Sequence, residues 1–240
     1  MRHFLTAALL ATTTLFAAAT PSSAGEKITG VVELFTSQGC SSCPPADKIL
    51  TKLNKDPGLL VLAWHVDYWV YLGWKDTLGV NGATERQREY AAGFKSASVY
   101  TPQAVVNGAA GMVGSKESAI KNALGNVPFP GVSVGLKSTA DGLKVSLEKT
   151  ALNGASTIVE LITFAPESIV EIERGENAGE SVVYQNAVRK VSKLGAWNGD
   201  AATFIGAAAK GGQGNAVLVR TILSTGEAGP VIGAAVLDAS

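Results

Sequence analysis

The sequence predicts an α/β domain over residues 25–130, with helices on both faces of a central sheet, followed by a β-rich, sandwich-like domain over residues 131–240. Three observations predict it. The first half alternates near-continuous apolar runs with segments of helical spacing. The second half consists of short alternating runs cut by turn residues, and Pro128-Phe129-Pro130-Gly131 stands between the two textures. Continuous apolar runs read as strands covered on both faces, and evenly spaced alternating runs read as antiparallel strands with one face in water.

Taken in order, Val31–Phe35 and Leu59–Val66 are the apolar, β-branched runs of two strands. Between them Ala46, Ile49, Leu50 and Leu53 recur at helical spacing, and Pro57-Gly58 ends the segment. Strand, helix, strand in that order implies parallel strands with a crossover helix. A second helix is expected to start at the capping pattern Thr84-Glu85-Arg86-Gln87, with Tyr90 and Phe94 one turn apart. Gln103–Val106, Asn107-Gly108 and Gly111–Val113 read as a hairpin with its turn. Ser115 is placed as the cap of a last helix that buries Ala119, Ile120, Ala123 and Leu124 and stops at Gly125. Beyond Gly131, strands are expected at Val132–Lys137, Leu143–Leu147, Thr157–Phe164, Ser168–Ile172, Val182–Tyr184, Val188–Leu194, Val217–Ser224 and Val231–Leu237. A chain ending near Val127 is expected to keep its fold.

Composition narrows the function classes. With 46% hydrophobic and 17% charged residues the chain is too apolar to be disordered. Lys plus Arg is 20 and Asp plus Glu is 20, so there is no basic field for nucleic acid or an anionic membrane. No internal repeat is visible, and no pattern calls for a cofactor. Residues 1–24 have a basic start, an uncharged stretch from Phe4 to Ala19 and small residues at Ser22 and Ala24. They read as a signal peptide cut after Ala24, the other reading being a membrane anchor, for which the stretch is short and diluted by threonines. The product is expected to be periplasmic or secreted, with no membrane span after cleavage.

In an oxidising compartment, cysteines usually staple distant parts of a chain. Here the only two lie in Cys40-Ser41-Ser42-Cys43, a loop too small to remove much unfolded-chain entropy. The motif follows a strand and opens a helix, where the positive end of the helix dipole and free N–H groups favour thiolate. Cys40, at the outer end, is the expected attacking thiol, and Cys43, one turn inside, resolves the mixed disulfide. His65 and Asp67, two apart on a strand, share a face and are candidate proton relays, the blander reading being a hydrogen-bonded core histidine. Trp69 and its aromatic neighbours line a substrate groove or pack the sheet end. Arg174-Gly175-Glu176-Asn177-Ala178-Gly179-Glu180 reads as a specified loop or as a plain turn between strands.

Val31–Phe35, Cys40–Cys43, Tyr100-Thr101-Pro102-Gln103, the Asn107-Gly108 hairpin and the helix from Ser115 occur in the order of the thioredoxin superfamily, which the first half resembles. The block Val32–Asp47, with His65–Trp69 and Tyr100–Gln103, also looks like a bacterial family of secreted thioredoxin-like proteins whose function has not been established. The resemblance implies a thioredoxin-like domain, a cis Thr101–Pro102 bond against the thiols, and a client that pairs with Thr101. Thioredoxins carry a buried strand acid six residues before the first cysteine; Glu33 lies seven before Cys40, and an extra loop residue at Gln38-Gly39 would align it as the proton shuttle of Cys43. An ordinary strand glutamate is the other reading. The chain departs from thioredoxins at Gly39, where an aromatic residue is usual, and at Ser41-Ser42, where Gly-Pro is.

The function expected is therefore that of an exported thiol–disulfide oxidoreductase, with a protein thiol or disulfide as client and a redox protein as partner. Two alternatives stand beside it. A Cys-x-x-Cys supplies half a zinc or copper(I) site, with only His65 and carboxylates left to complete it. The domain would otherwise be a non-catalytic scaffold in the envelope.

Overall fold

The computed structural model describes residues 27–238, so the segment read as a signal peptide lies outside the described residues. The first elements follow the expected order: β1 (Gly30–Thr36), α1 (Pro44–Leu53), β2 (Leu59–His65), α2 (Ala83–Gly93), β3 (Gln103–Val106), β4 (Ala110–Val113) and α3 (Glu117–Asn126). β1 and β2 pair in parallel, and β3 and β4 extend the sheet antiparallel on the other side of β1. Neither predicted cap is used. Thr84 lies inside α2 and gives its hydroxyl to Asp67, while α3 starts after Lys116.

The remaining strands are β5 (Val134–Thr139), β6 (Gly142–Leu147), β7 (Ser156–Glu171), β8 (Ser181–Trp197), β9 (Ala202–Gly206), β10 (Gly214–Ile222) and β11 (Ala228–Leu237). They correct the expected fold class. The molecule is mostly sheet, and in place of a helix-flanked thioredoxin-like α/β domain followed by a sandwich, one mixed sheet runs through both halves. Its eight strands have the order β11-β10-β7-β8-β2-β1-β3-β4, and β5-β6-β9 form a separate small sheet. The junction is a parallel contact of β8 on the free edge of β2, at Ala63 and Ala187. Alternation of apolar and polar residues reports which face of a strand is covered, not which edge it pairs with, so this junction leaves no mark in the texture.

Strand parity sorts the core into two layers. Val32, Leu34, Val61 and Ala63 point to the face covered by α1 and α3, where they meet Ala46, Leu50 and Ile120. Val31, Phe35, Leu62 and Trp64 point to the opposite face and meet Tyr90 of α2, together with Ile162, Phe164 and Leu218. Farther along the sheet, the small sheet packs Leu143 and Val145 on Val159, Leu161 and Val217.

β7 and β8 are unusually long, at 16 and 17 residues. Only Ser156–Phe164 of β7 pairs with β10; beyond the Ala165–Ala187 rung, where β8 meets β2, β7 and β8 pair with each other alone as a two-stranded arm. Pro166 and Asn186 face each other without pairing, between the Ala165–Ala187 and Glu167–Gln185 rungs. Asn186 takes a left-handed φ of 47°, and its amide donates to Asn54 and to the Val61 carbonyl. The arm's tip, residues 172–180, comes down on the loop 38–41 that leads into α1.

Candidate functional site

Cys40 and Cys43 form a disulfide, with Cys43 as the N-cap of α1. Cys40 is 1% exposed and Cys43 0%, so the outer sulfur is covered as fully as the inner one, and the exposure expected for Cys40 is not seen. Ser41 and Ser42 between them are exposed. Pro44 and Pro45 fill the first helical positions, where an N–H has no intrahelical partner to lose.

Three segments enclose the pair. Trp69 packs its Cβ so close to Gly39 that a side chain there would meet it at 3.1 Å. The Trp69 indole donates to the Thr101 hydroxyl at 2.8 Å, and the Thr101–Pro102 bond is cis. Pro102 and Ala46 of α1 both abut Gly114, where an added Cβ would lie 3.2 and 3.3 Å from them. Tyr71, 72% exposed, stacks on Trp69 and with exposed Val70 gives this side an apolar rim. The third segment is the arm's tip, described below with Asn177.

Beneath the disulfide lies a cluster of buried polar groups on the α1 face. Thr36 and His65 end β1 and β2 as partners in register, and Asp47 stands one turn after Cys43 on α1. Helical side chains lean toward the N-terminus, so the Asp47 carboxyl projects toward Cys43. Asp47 is 3% exposed, and neither of its oxygens has a hydrogen-bond partner; Thr36 Oγ1 and His65 Nε2 are likewise unpartnered. Burial pushes the Asp47 carboxyl up to about 7, against the pull of His65 and Thr36. Asp76 behaves in the opposite way. Burial would raise it, yet His65 Nδ1 at 2.9 Å and the N–H groups of Gln38 and Leu78 hold it below the usual carboxylate range. Tyr184 of the arm sets its ring edge-on to His65 at 4.7 Å.

The other residues singled out from the sequence lie elsewhere. Glu33 is fully buried, but by parity it points to the α2 face, away from α1. There it binds Arg86 at 2.6 Å and accepts from the Tyr90 hydroxyl. Arg86 continues to Glu160, and Glu160 to Arg220, so Glu33 ends a buried ionic chain rather than standing beside Cys43. His65 and Asp67 do not act together: β2 ends at His65, and Asp67 is exposed and bound to Thr84. Among the described residues no group of three or more His, Cys, Asp and Glu side chains is arranged to hold a metal ion, and no helix is long and apolar enough to cross a membrane.

Four further residues of the site have no role assigned from the sequence, although Gln38 and Asn177 lie in segments singled out there. Asp47 was hidden inside a motif block, although an acid one turn after a thiol on the buried face of a helix was a usable signal. Asp76 comes from an irregular segment. Gln38 is fully buried; its side chain accepts from Trp74 and Thr77, and its N–H binds Asp76. Asn177 lies 137 residues from Cys40 and donates to the carbonyls of Gln38 and Cys40 at 2.8 and 2.9 Å.

Residues 31–220 match a family described as proteins of unknown function, DUF1223. Among solved structures, the crystal structure of a structural-genomics target from Agrobacterium tumefaciens is 31% identical, covering 90% of this chain and 96% of that one with a TM-score of 0.77. HBP35 of Porphyromonas gingivalis shares the fold at 13% identity, with a TM-score of 0.61 over 89% of this chain and 76% of that one. A comparison with curated proteins found no match.

Proposed function

The chain belongs to the DUF1223 family, and we propose that it is an exported thiol–disulfide oxidoreductase acting on protein clients. One observation carries the reading. The only two cysteines are bonded to each other at a helix N-terminus, with a buried carboxyl of raised affinity for protons one helical turn after the inner one. A structural staple would close a longer loop and would have no use for an unpartnered acid.

The chemistry follows from the placement. A client thiolate attacks Cys40 Sγ, the bond between Cys40 and Cys43 breaks, and Cys43 leaves as thiolate. Asp47, protonated near neutral pH, gives that sulfur a proton. A second client thiolate then attacks the client sulfur of the mixed disulfide, so the client gains a disulfide and Cys40 leaves with the electron pair. In the reverse direction Asp47 takes the proton of Cys43 as it attacks Cys40 Sγ and expels the client. A carboxyl with a proton affinity near that of the medium serves both directions. His65, fixed through Nδ1 by Asp76, presents Nε2 to the same buried space. The rim of Trp69, Val70 and Tyr71 supplies apolar surface for a client chain beside Thr101.

The test is disulfide exchange by the purified full chain, read as reduction of insulin with dithiothreitol and as oxidation of a dithiol peptide. Acceleration of tenfold or more in either assay is expected, lost in Cys40→Ser and Cys43→Ser. Cys43→Ser should retain a reducible adduct with a client and Cys40→Ser should not. No acceleration by the wild-type protein in both assays sinks the reading.

A further inference from the structure

We propose that the segment Arg174–Glu180 is a strap that clients must displace, and that Asn177 is the latch deciding which reductants reach the Cys40–Cys43 disulfide. The proposal rests on the reading of that pair as an exchange site.

Asn177 is the one buried side chain in residues 173–180; its neighbours Glu176 and Ala178 are exposed. Its amide spends both hydrogens on the carbonyls of Gln38 and Cys40, main-chain groups flanking the outer cysteine. Beside it, Glu176 sets a carboxylate 3.4 Å from the Ser41 N–H. Gly175 lies so close to the 72–74 segment that an added Cβ would sit 3.2 Å from the Trp74 Cβ, and its φ of 82° suits glycine alone.

The strap is built to move as a body. It closes on itself through hydrogen bonds from Ala178 to Gly175, Gly179 to Ile172, Glu180 to Asn177 and Ile172 to Glu180. It sits at the tip of an arm whose two strands pair only with each other beyond residue 165. Lifting residues 174–180 breaks the hydrogen bonds of Asn177, the Glu176 contact and the packing of Gly175 on Trp74, but no sheet hydrogen bond, while Ile172 at its base stays packed with Leu78 and Tyr184. A client that offers its own N–H groups to the Cys40 and Gln38 carbonyls replaces what Asn177 supplied. A small thiol cannot, so it meets a covered disulfide.

The experiment follows reduction of the oxidised full chain by excess glutathione, with acid quench and alkylation. Asn177→Ala should be reduced about tenfold or more faster than wild type, as expected for losing two buried hydrogen bonds that hold the closed form. Gly175→Val keeps every hydrogen-bonding side chain and should accelerate reduction by a similar factor. The equilibrium between oxidised and reduced forms in a glutathione series should stay within twofold of wild type in Asn177→Ala. Val145→Ala, which loosens the distant small sheet, should leave the rate within twofold. Rates within twofold of wild type in both strap variants overturn the proposal, as does equal acceleration by Val145→Ala. Because the readout is reduction of the protein's own disulfide by a small thiol, it stands or falls separately from client turnover.

Discussion

Three buried carboxylates near β1 and β2 in space, Glu33, Asp47 and Asp76, have three different fates, set by what each one touches. Glu33 meets Arg86 and Tyr90, Asp76 meets His65 and two N–H groups, and Asp47, with Thr36 and His65 nearby, forms no hydrogen bond. Burial pushes the Asp47 carboxyl up to about 7, so it holds a proton near neutral pH. Folding therefore binds a proton at Asp47 that the unfolded chain, with its carboxyl at 3.8, releases. The raised affinity favours the fold fully below pH 3.8, and that advantage is lost as pH rises through about 7. Asp47→Asn removes the dependence. Its stability relative to wild type should be near zero or below at pH 4 and rise by up to roughly 4 kcal/mol at pH 8, while disulfide exchange slows. Urea titrations of both proteins across that range give the difference, in which the opposite contributions of Asp76 and Glu160 cancel. A difference that does not change with pH would show that Asp47 keeps an ordinary proton affinity.

At the scale of elements, the strands and the thiol helix were legible because their signals are local. Val31–Phe35 and Leu59–Val66 announce covered strands, Ala46, Ile49, Leu50 and Leu53 announce the face of α1, and Asn107-Gly108 announces its hairpin. What escaped was continuity. The sequence shows Thr157–Phe164 and Ser168–Ile172 as two runs because Pro166 interrupts them, and the structure makes one strand of both. Val182–Tyr184 and Val188–Leu194 are likewise joined through Asn186. β9 was missed because five residues with a partly exposed pattern carry little periodic signal. The joining residues define the arm and hence the strap, so the part of the site hardest to read was the part delivered by tertiary structure. Asn186 anchors the arm to the rest of the molecule, through a left-handed backbone and two amide hydrogen bonds to Asn54 and Val61. Asn186→Ala should cost about 2–4 kcal/mol, from two hydrogen bonds and the strain of a Cβ at positive φ. Asn186→Gly should cost less, since it loses the bonds and keeps the conformation. Denaturant unfolding of the pair separates the two contributions, and equal costs would mean that the backbone at this position carries no strain.

At the scale of the whole molecule, the change of texture at Pro128–Gly131 marks a change in how strands are covered, while the sheet continues across it. β8 closes the edge of β2, and Ile162, Phe164, Val188 and Leu218 from beyond residue 130 complete the core around Phe35, Trp64 and Tyr90. The ionic chain crosses the same line. Arg86 of α2, 5% exposed, is balanced by Glu33 on one side and by Glu160 of β7 on the other, and Glu160 is held down to about 2 by Arg86 and Arg220 against the effect of burial. Removing one member of such a chain leaves its neighbours buried without compensation, which costs several kcal/mol. A chain ending at Val127 loses Glu160, the apolar cover of α2, the strap and the Tyr184 contact to His65, and opens the edge of β2 to solvent. The reasoning from texture had such a piece folding alone; the packing implies the reverse. Residues 25–127 should be insoluble or compact without fixed packing, with dye-binding apolar surface, weak near-ultraviolet dichroism and no cooperative unfolding. A soluble piece that unfolds in one sharp transition, with its disulfide shielded from glutathione as in the full chain, would show instead that four strands and three helices suffice and that the second half is an addition to a finished core.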